Sequence, residues 1–305
     1  MKIALIGDMA FYGKYSLQNE GVFELFHEVA EYLHSFDFVV GNLETPFCDD
    51  CHTHGAKSAH IKSIEKNVEL LKYLNVSVVN LANNHIFDYG NKGFKKTLEI
   101  LEKNEIGYFG VKNLEHNIYL NNSTVNFMGY NCYSTNMIPK FNNNDIGVNV
   151  LDPLQIEKNL ENKKTKKQIN ILSMHMGEEH VNYPNYDHVK VARKLAKKHD
   201  FVLYGHHPHV VQGVEEYNNS LLAYSLGNFC FDDVVVNGKV KIKQDDNNKI
   251  GMIVVLDIEN NEIKDYSLKK VQHLNDKITL SEIDIGQYTN ALKIDEDKYK
   301  EMRSK

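Results

Sequence analysis

The chain has 305 residues, a formal charge of −6 and a pI near 6.2. That length admits one large α/β domain or two small ones, with a core that needs no disulfide or structural metal. The weak acidity offers no basic face for nucleic acid, no run approaches the roughly 18 apolar residues of a membrane helix, and the apolar start, broken by Asp8, is too short for a signal segment. The expectation is a soluble cytoplasmic protein without a membrane span.

Residues 2–6 read as a first buried strand. Residues 20–33 place Val22, Leu25, Phe26, Val29 and Leu33 at helical spacing. A second strand is expected at 36–40, followed by a polar, aperiodic loop over 45–58 of the length that often carries function. A helix at 68–74, a β-branched strand at 76–81, a helix at 91–104 with Leu98, Ile100 and Leu101 among its apolar positions, and a short strand at 107–110 come next. β-type segments follow at 117–120 and 125–130, then a lysine-rich linker or helix end at 159–168 and a strand at 169–174. The helix expected at 187–198 turns Val189, Ala192 and Leu195 inward. Strands at 201–204, 221–224 and 250–257 complete the set; 232–249, charged and glycine-bearing, reads as a mobile loop. Residues 1–280 are read as one domain and 281–305 as a polar, helical C-terminal tail. Alternating strands and helices give an α/β fold, parallel in the first half, with a strand-rich last third of antiparallel character.

Four cysteines, at 48, 51, 132 and 230, do not suggest a disulfide framework in such a compartment. Cys48 to His52 spells C-x-x-C-H, but haem attachment needs export. A zinc knuckle from Cys48, Cys51, His52 and His54 lacks an evident complete site, and a polar loop with incidental cysteines is favoured.

Polar residues recur just past the strands: Gly7-Asp8, Gly41-Asn42-Leu43-Glu44, Asn83-Asn84-His85, His175, the run Gly205-His206-His207-Pro208-His209, and Ser225-Leu226-Gly227-Asn228. Ligands of open α/β sheets bind outside the carboxyl ends of the strands, so these residues can share one crevice. Carboxylates, an amide oxygen and several imidazoles suit Mn, Fe or Zn better than Ca or Mg. A two-metal hydrolytic site uses these types: a carboxylate bridges ions roughly 3.5–4 Å apart, imidazoles fill outer positions, and a free imidazole protonates the leaving alkoxide. Taken singly, Asp8 reads as well as a turn former, Glu44 as a loop carboxylate, Asn83-Asn84 as a turn and His175 as a core histidine. Those readings leave the joint occurrence at successive strand ends unexplained.

Asn42-Leu43-Glu44, Ala82-Asn83-Asn84-His85-x-x-Asp88-Tyr89-Gly90, His175-x-Gly177-x-Glu179, Gly205-x-His207-Pro208-His209-Val210-x-Gln212 and Tyr224-Ser225-Leu226-Gly227-Asn228-Phe229 resemble the CapA family, in family order from residue 1 to about 233. The resemblance implies a four-layer α/β/β/α sandwich of metallophosphoesterase type and a link to capsule and poly-γ-glutamate synthesis. It implies two divalent ions (Mn, Fe or Zn), with Asp8 as first carboxylate, Glu44 as bridge, Asn84 as amide ligand, and His175, His207 and His209 as imidazole ligands. His85 falls at the leaving-group acid with Asp88 as its support, and His206 is left as an outer group. Ser225, Asn228 and Glu179 are expected at the substrate pocket, while the 225–229 segment reads at least as well as a tight turn with Gly227 supplying an unusual backbone angle. Two departures stand out. The family fold's usual Asp-x-His is here Asp8-Met9-Ala10, so the ion of Asp8, Glu44 and His209 lacks one nitrogen and is expected to be the more labile. Ile86 stands where an acid usually follows the Asn-His pair.

The implied activity is two-metal hydrolysis of a phosphoester, in capsule or cell-envelope polymer synthesis. The alternatives are a non-hydrolytic accessory binding an anionic polymer such as poly-γ-glutamate, and an amide hydrolase of that polymer. The implied partner is a small phosphoester or an anionic polymer, not nucleic acid.

Overall fold

The computed structural model describes residues 1–112, 114, 116–135, 147–163, 167–236, 238–275, 277–293 and 296–303. Its first half runs β1 (Lys2–Met9), α1 (Val22–Leu25), α2 (His27–Leu33), β2 (Phe38–Leu43), α3 (Val68–Tyr73), β3 (Val76–Asn80), α4 (Gly90–Lys103) and β4 (Gly107–Phe109). Then come β5 (His116–Leu120), β6 (Ser123–Asn131), α5 (Pro153–Lys163), β7 (Ile169–His175), α6 (Tyr186–Ala196), β8 (Val202–His206), β9 (Val214–Tyr217) and β10 (Ser220–Ala223). The chain finishes with β11 (Asn228–Cys230), β12 (Val234–Val236), β13 (Lys239–Ile242), β14 (Ile250–Glu259), β15 (Glu262–His273), β16 (Ile278–Glu282), α7 (Gly286–Thr289) and α8 (Glu296–Arg303).

Two sheets form. One has the order β16-β15-β14-β1-β2-β3-β4, with β11 pairing the end of β1; the other has the order β5-β6-β7-β8-β10-β9. Pairing is parallel from β1 to β4 and from β6 through β7 and β8 to β10, and antiparallel where β14, β15 and β16 extend the first sheet.

Strand alternation explains the layering. In β1, Ile3 and Leu5 face the second sheet, packing in one buried cluster with Val125, Ile171, Val202 and Ala223. Ala4 and Ile6 face the other way, onto Val29 and Leu33 of α2, Leu71 of α3 and Leu101 of α4. The outer face of the second sheet, including Leu172, Leu203 and Leu222, packs on Ile156 and Leu160 of α5 and Val189 and Leu195 of α6. Strands covered on both faces read as continuous apolar runs, as β1, β7 and β8 do. The result is a four-layer α/β/β/α sandwich of metallophosphoesterase type.

Close backbone approach joins the strand ends. A Cβ on Gly7 would lie 2.1 Å from the Gly227 carbonyl oxygen, and one on Gly205 1.8 Å from that of Tyr224. Only glycine permits these contacts, which bring the ends of β1, β8 and β11 together.

Several expectations need correction. The helix expected over 20–33 is two helices meeting at Phe26. Residues 232–249 are not simply a loop: β12 and β13 pair there as an antiparallel ribbon. The 12-residue β15 was missed, and β16 extends into the segment read as a tail. The lysine-rich stretch is the end of α5 up to Lys163; its residues 164–166 lie outside the described residues. Cys48 and Cys51 are joined as a disulfide, with Cα atoms 5.9 Å apart. A bonded pair supplies no thiolate, which excludes the zinc knuckle in this state. Among the described residues no helix is long and apolar enough to cross a membrane.

A candidate metal centre at the strand ends

Each polar residue expected at a strand end lies at the same edge of the sandwich. Asp8 ends β1, Glu44 follows β2, and Asn84 and His85 follow β3. From the second sheet come His175 at the end of β7 and His207 and His209 just beyond β8. All are buried; Asp8, Glu44 and His175 have no exposed surface. Ligating atoms of these three lie within 4.8 Å of one another, a group able to hold a cation.

Asn42 organises the centre of this cluster. Its amide nitrogen donates to Asp8 Oδ1 at 2.9 Å and Glu44 Oε1 at 3.3 Å, and lies 3.4 Å from His175 Nδ1. Its carbonyl accepts from the amides of Asn80 and Asn83. Asn83 is spent on structure: its oxygen accepts from the backbone of His85 and Ile86, and its nitrogen donates to the Leu43 carbonyl. Such a side-chain turn fixes the loop that carries Asn84. The Asn84 oxygen then reaches His175 Nε2 at 3.0 Å, and Glu44 Oε1 lies 3.7 Å from His175 Nδ1.

Opposite, the His207 backbone N–H donates to Asp8 Oδ2. His207 and His209 both hold positive φ, 96° and 58°. A non-glycine residue in that region stores strain, a condition that clusters at functional sites. His209 Nδ1 is 2.9 Å from Asn228 Oδ1. The Asn228 amide nitrogen is already committed to Gln244 Oε1 and the Asn248 carbonyl. Nδ1 of His209 must therefore donate to Asn228, leaving Nε2 as its ligating nitrogen. Asn248, which no sequence signal singled out, also donates to the His209 carbonyl.

His206 lies with Nδ1 2.8 Å from Asp8 Oδ1, without hydrogen-bond alignment. Glu44 Oε2, His207 Nδ1 and both His206 ring nitrogens are buried with no hydrogen-bond partner. Orphaned buried polar atoms are costly unless something satisfies them. Burial and the Asp8 charge push the Glu44 carboxyl well above its ordinary range. A cation reverses that balance. Burial raises Asp8, but the His206 and His209 imidazoles bring it down to about 2. Burial, then neighbouring imidazoles, drive His175 well below its ordinary value; burial also brings His207 down to about 3. Neutral imidazoles and an ionised carboxylate are the forms that ligate. The donor set therefore fits divalent Mn, Fe or Zn.

His85 stands beside this cluster. Its Nδ1 is 2.7 Å from Asp88 Oδ2, a carboxylate with no exposed surface. Burial raises Asp88, but His85 and Lys57 outweigh it and hold the carboxyl low. Burial, reinforced by the Lys57 charge, lowers His85. Lys57 was not anticipated. It comes from the 45–63 loop and donates to Asp88 Oδ1 at 2.7 Å and to the Asn84 carbonyl at 3.0 Å.

A cavity of about 20 Å³, room for little more than one water, opens beside His85 and His209 and is walled by Glu179, His180, Phe231 and Ile242. Glu179 is on that wall. Asn228 is not; it braces His209. Ser225 is fully buried, and its hydroxyl donates to the Val210 carbonyl.

The family model described as "Bacterial capsule synthesis protein PGA_cap" matches residues 2–233. The chain belongs to the CapA family of bacterial capsule synthesis proteins. It is 29% identical over 243 residues to the PGA biosynthesis protein CapA of Bacillus subtilis (strain 168), covering 76% of this chain and 63% of that protein. It is 30% identical over 247 residues to the capsule biosynthesis protein CapA of Bacillus anthracis, covering 76% and 60%. The chain thus spans less than two thirds of the length of these two CapA relatives. Among solved structures it resembles a hypothetical protein from Thermus thermophilus, with a TM-score of 0.55, 13% identity, and coverage of 90% and 100%. It also resembles the NAD nucleotidase NadN of Haemophilus influenzae, with a TM-score of 0.50, 14% identity, and coverage of 96% and 55%. At such identities these two likenesses speak for the fold of this CapA member and not for its reaction.

Proposed function

We propose that this CapA-family protein is a metal-dependent phosphohydrolase built on two divalent ions. The observation that carries the reading is the buried meeting of Asp8, Glu44 and His175, with Glu44 Oε2 left without a hydrogen-bond partner. Asp8, Glu44 and His209 would hold one ion; Glu44, Asn84, His175 and His207 would hold the other. Bound there, the ions would supply Lewis-acid stabilisation of a phosphoryl group and an activated water.

The chain's own groups account for the remaining tasks. Asn42 holds Asp8 and Glu44 at fixed spacing. Asn228 fixes the His209 tautomer. His85, anchored on Asp88, presents its other nitrogen to move a proton at the leaving oxygen, a contribution of about 10²–10⁴-fold. Phe231, Val234 and Ile242 give one apolar stretch to a wall otherwise lined by polar groups such as Glu179, His180 and Gln244.

The setting we infer, from the family and from what the two Bacillus relatives are called, is capsule polymer synthesis, with a phosphorylated or polyanionic substrate. Purified protein loaded with Mn²⁺ should release phosphate from an aryl phosphate. Metal binding without phosphate release, combined with metal-dependent binding of poly-γ-glutamate, would transfer the assignment to an accessory role. Release of glutamate from a γ-linked oligomer would transfer it to amide hydrolysis.

A further inference from the structure

Lys57 is a long cation in a polar loop, a type of residue that normally lies in water. Here its side chain is 2% exposed. Its ammonium sits 2.7 Å from Asp88 Oδ1, 3.0 Å from the Asn84 carbonyl oxygen and 3.1 Å from His85 Nδ1. Burying an ammonium is costly unless it is paired, so the position needs a reason in the groups it touches.

Those groups are the backbone of one candidate ligand, the candidate proton donor and that donor's anchor. The loop holding Lys57 is tied to the same place twice more: the His54 N–H donates to the Asp88 carbonyl and the Ile61 N–H to Asp88 Oδ2. An ammonium has three donors. One goes to Asp88 and one to Asn84. The third faces His85 Nδ1, whose shorter contact, at 2.7 Å, is to Asp88 Oδ2. A carboxylate accepts only, so the ring nitrogen points its hydrogen at Asp88 and Lys57 acts on the ring through Asp88.

We propose that Lys57 is a positioning residue: it locks the Asn84-His85 segment against Asp88, fixing where the Asn84 amide meets the metal and how the His85 ring faces the cavity. The role in turnover rests on the phosphohydrolase reading; the role in placing Asn84 does not.

The test replaces Lys57→Met, which keeps the stem and removes the charge, and measures Mn²⁺ affinity and steady-state kinetics on an aryl phosphate. Outer-sphere partners of metal ligands typically contribute 10–100-fold. The expected result is Mn²⁺ binding weakened by about 10-fold or more and kcat lowered by about 10–100-fold, with KM within about 2-fold. Lys57→Ala should recover part of both on addition of ethylamine, which refills the lost ammonium site. The Lys57→Met/Asp88→Asn double variant should be little worse than either single one, since the two act as a unit. Wild-type Mn²⁺ affinity and wild-type kcat in folded Lys57→Met would overturn the proposal. If that variant fails to fold, Lys57→Ala decides: recovery of Mn²⁺ binding with ethylamine supports the role, and none overturns it. If the wild-type protein hydrolyses nothing, the phosphohydrolase reading fails while the Mn²⁺ arm still decides Lys57.

Discussion

Nε2 of His175 lies 3.0 Å from Oδ1 of Asn84. The two residues are 91 positions apart and belong to different sheets: one ends β7, the other follows β3. Nothing local brings them together; the packing of the two sheets across their shared core does. That a neutral imidazole and an amide oxygen meet next to Glu44 is the feature that turns a set of strand ends into a candidate metal centre.

His85 touches none of the acidic groups of the centre other than through its own anchor, Asp88. His85→Ala should therefore slow aryl-phosphate turnover by about 10²-fold or more while leaving metal content unchanged. Unchanged turnover removes His85 from the mechanism; loss of metal makes it a ligand instead.

The two ions should not be held equally. Ala10 occupies the position of the usual second ligand on the first strand, and it is buried against Ala59, Ile61, Phe231 and Val234. Its methyl group supplies no ligand atom. Titration of loaded protein with a chelator should remove metal in two steps, the first from the Asp8–His209 side. Single-step loss of both ions contradicts this.

Asn228 is the acceptor that fixes His209. Asn228→Ala should weaken binding of the ion on that side by about 10–100-fold without unfolding the protein, since second-sphere partners act at that scale. Equilibrium dialysis against Mn²⁺ reads the effect. Equal affinity in variant and wild type would show that the hydrogen bond is dispensable.

Acid should destabilise the metal-free protein. Burial is the first cause that brings His207 and His273 down to about 3, against about 6.5 in the unfolded chain. As pH falls below 6.5 the unfolded chain takes up protons that the folded chain refuses, so stability drops by about 1.4 kcal/mol per pH unit for each such group. His175 acts in the same direction. Glu44, with its folded value raised, opposes them by holding a proton the unfolded chain has released. Three imidazoles against one carboxyl leave a net loss of at least about 1.4 kcal/mol per pH unit in the acid part of the pH 6.5–4.5 window. Urea melts of chelated protein at pH 7.5 and 5 measure it. A flat profile would mean that these imidazoles are not held neutral.

Much of this was legible in the chain because buried strands announce themselves as apolar runs, and the residues just past them were easy to find. The layer order followed from the family resemblance and was borne out. Other features were hidden for physical reasons. β15 has an exposed, charged face from Glu262 to Asp265, which reads as loop. The β12–β13 ribbon has little core to bury: two of the three valines of β12 are exposed, and β13 alternates lysine with apolar residues. The Cys48–Cys51 bond was not legible because C-x-x-C spacing is shared by metal sites, redox pairs and structural disulfides. Lys57 sits in an aperiodic loop whose path depends on Asp88, and no local pattern encodes that. Asn42 and Asn228 look like ordinary strand-end amides until their partners are seen.

The proposed chemistry turns on Glu44 being shared between two cations. Crystals of protein loaded with Mn²⁺, measured at the manganese absorption edge, test it most directly. Two anomalous peaks are expected, both in contact with the Glu44 carboxylate, one also against Asp8 and His209 and the other against Asn84, His175 and His207. Peaks elsewhere, or none at Glu44 in protein that binds manganese in solution, would contradict it.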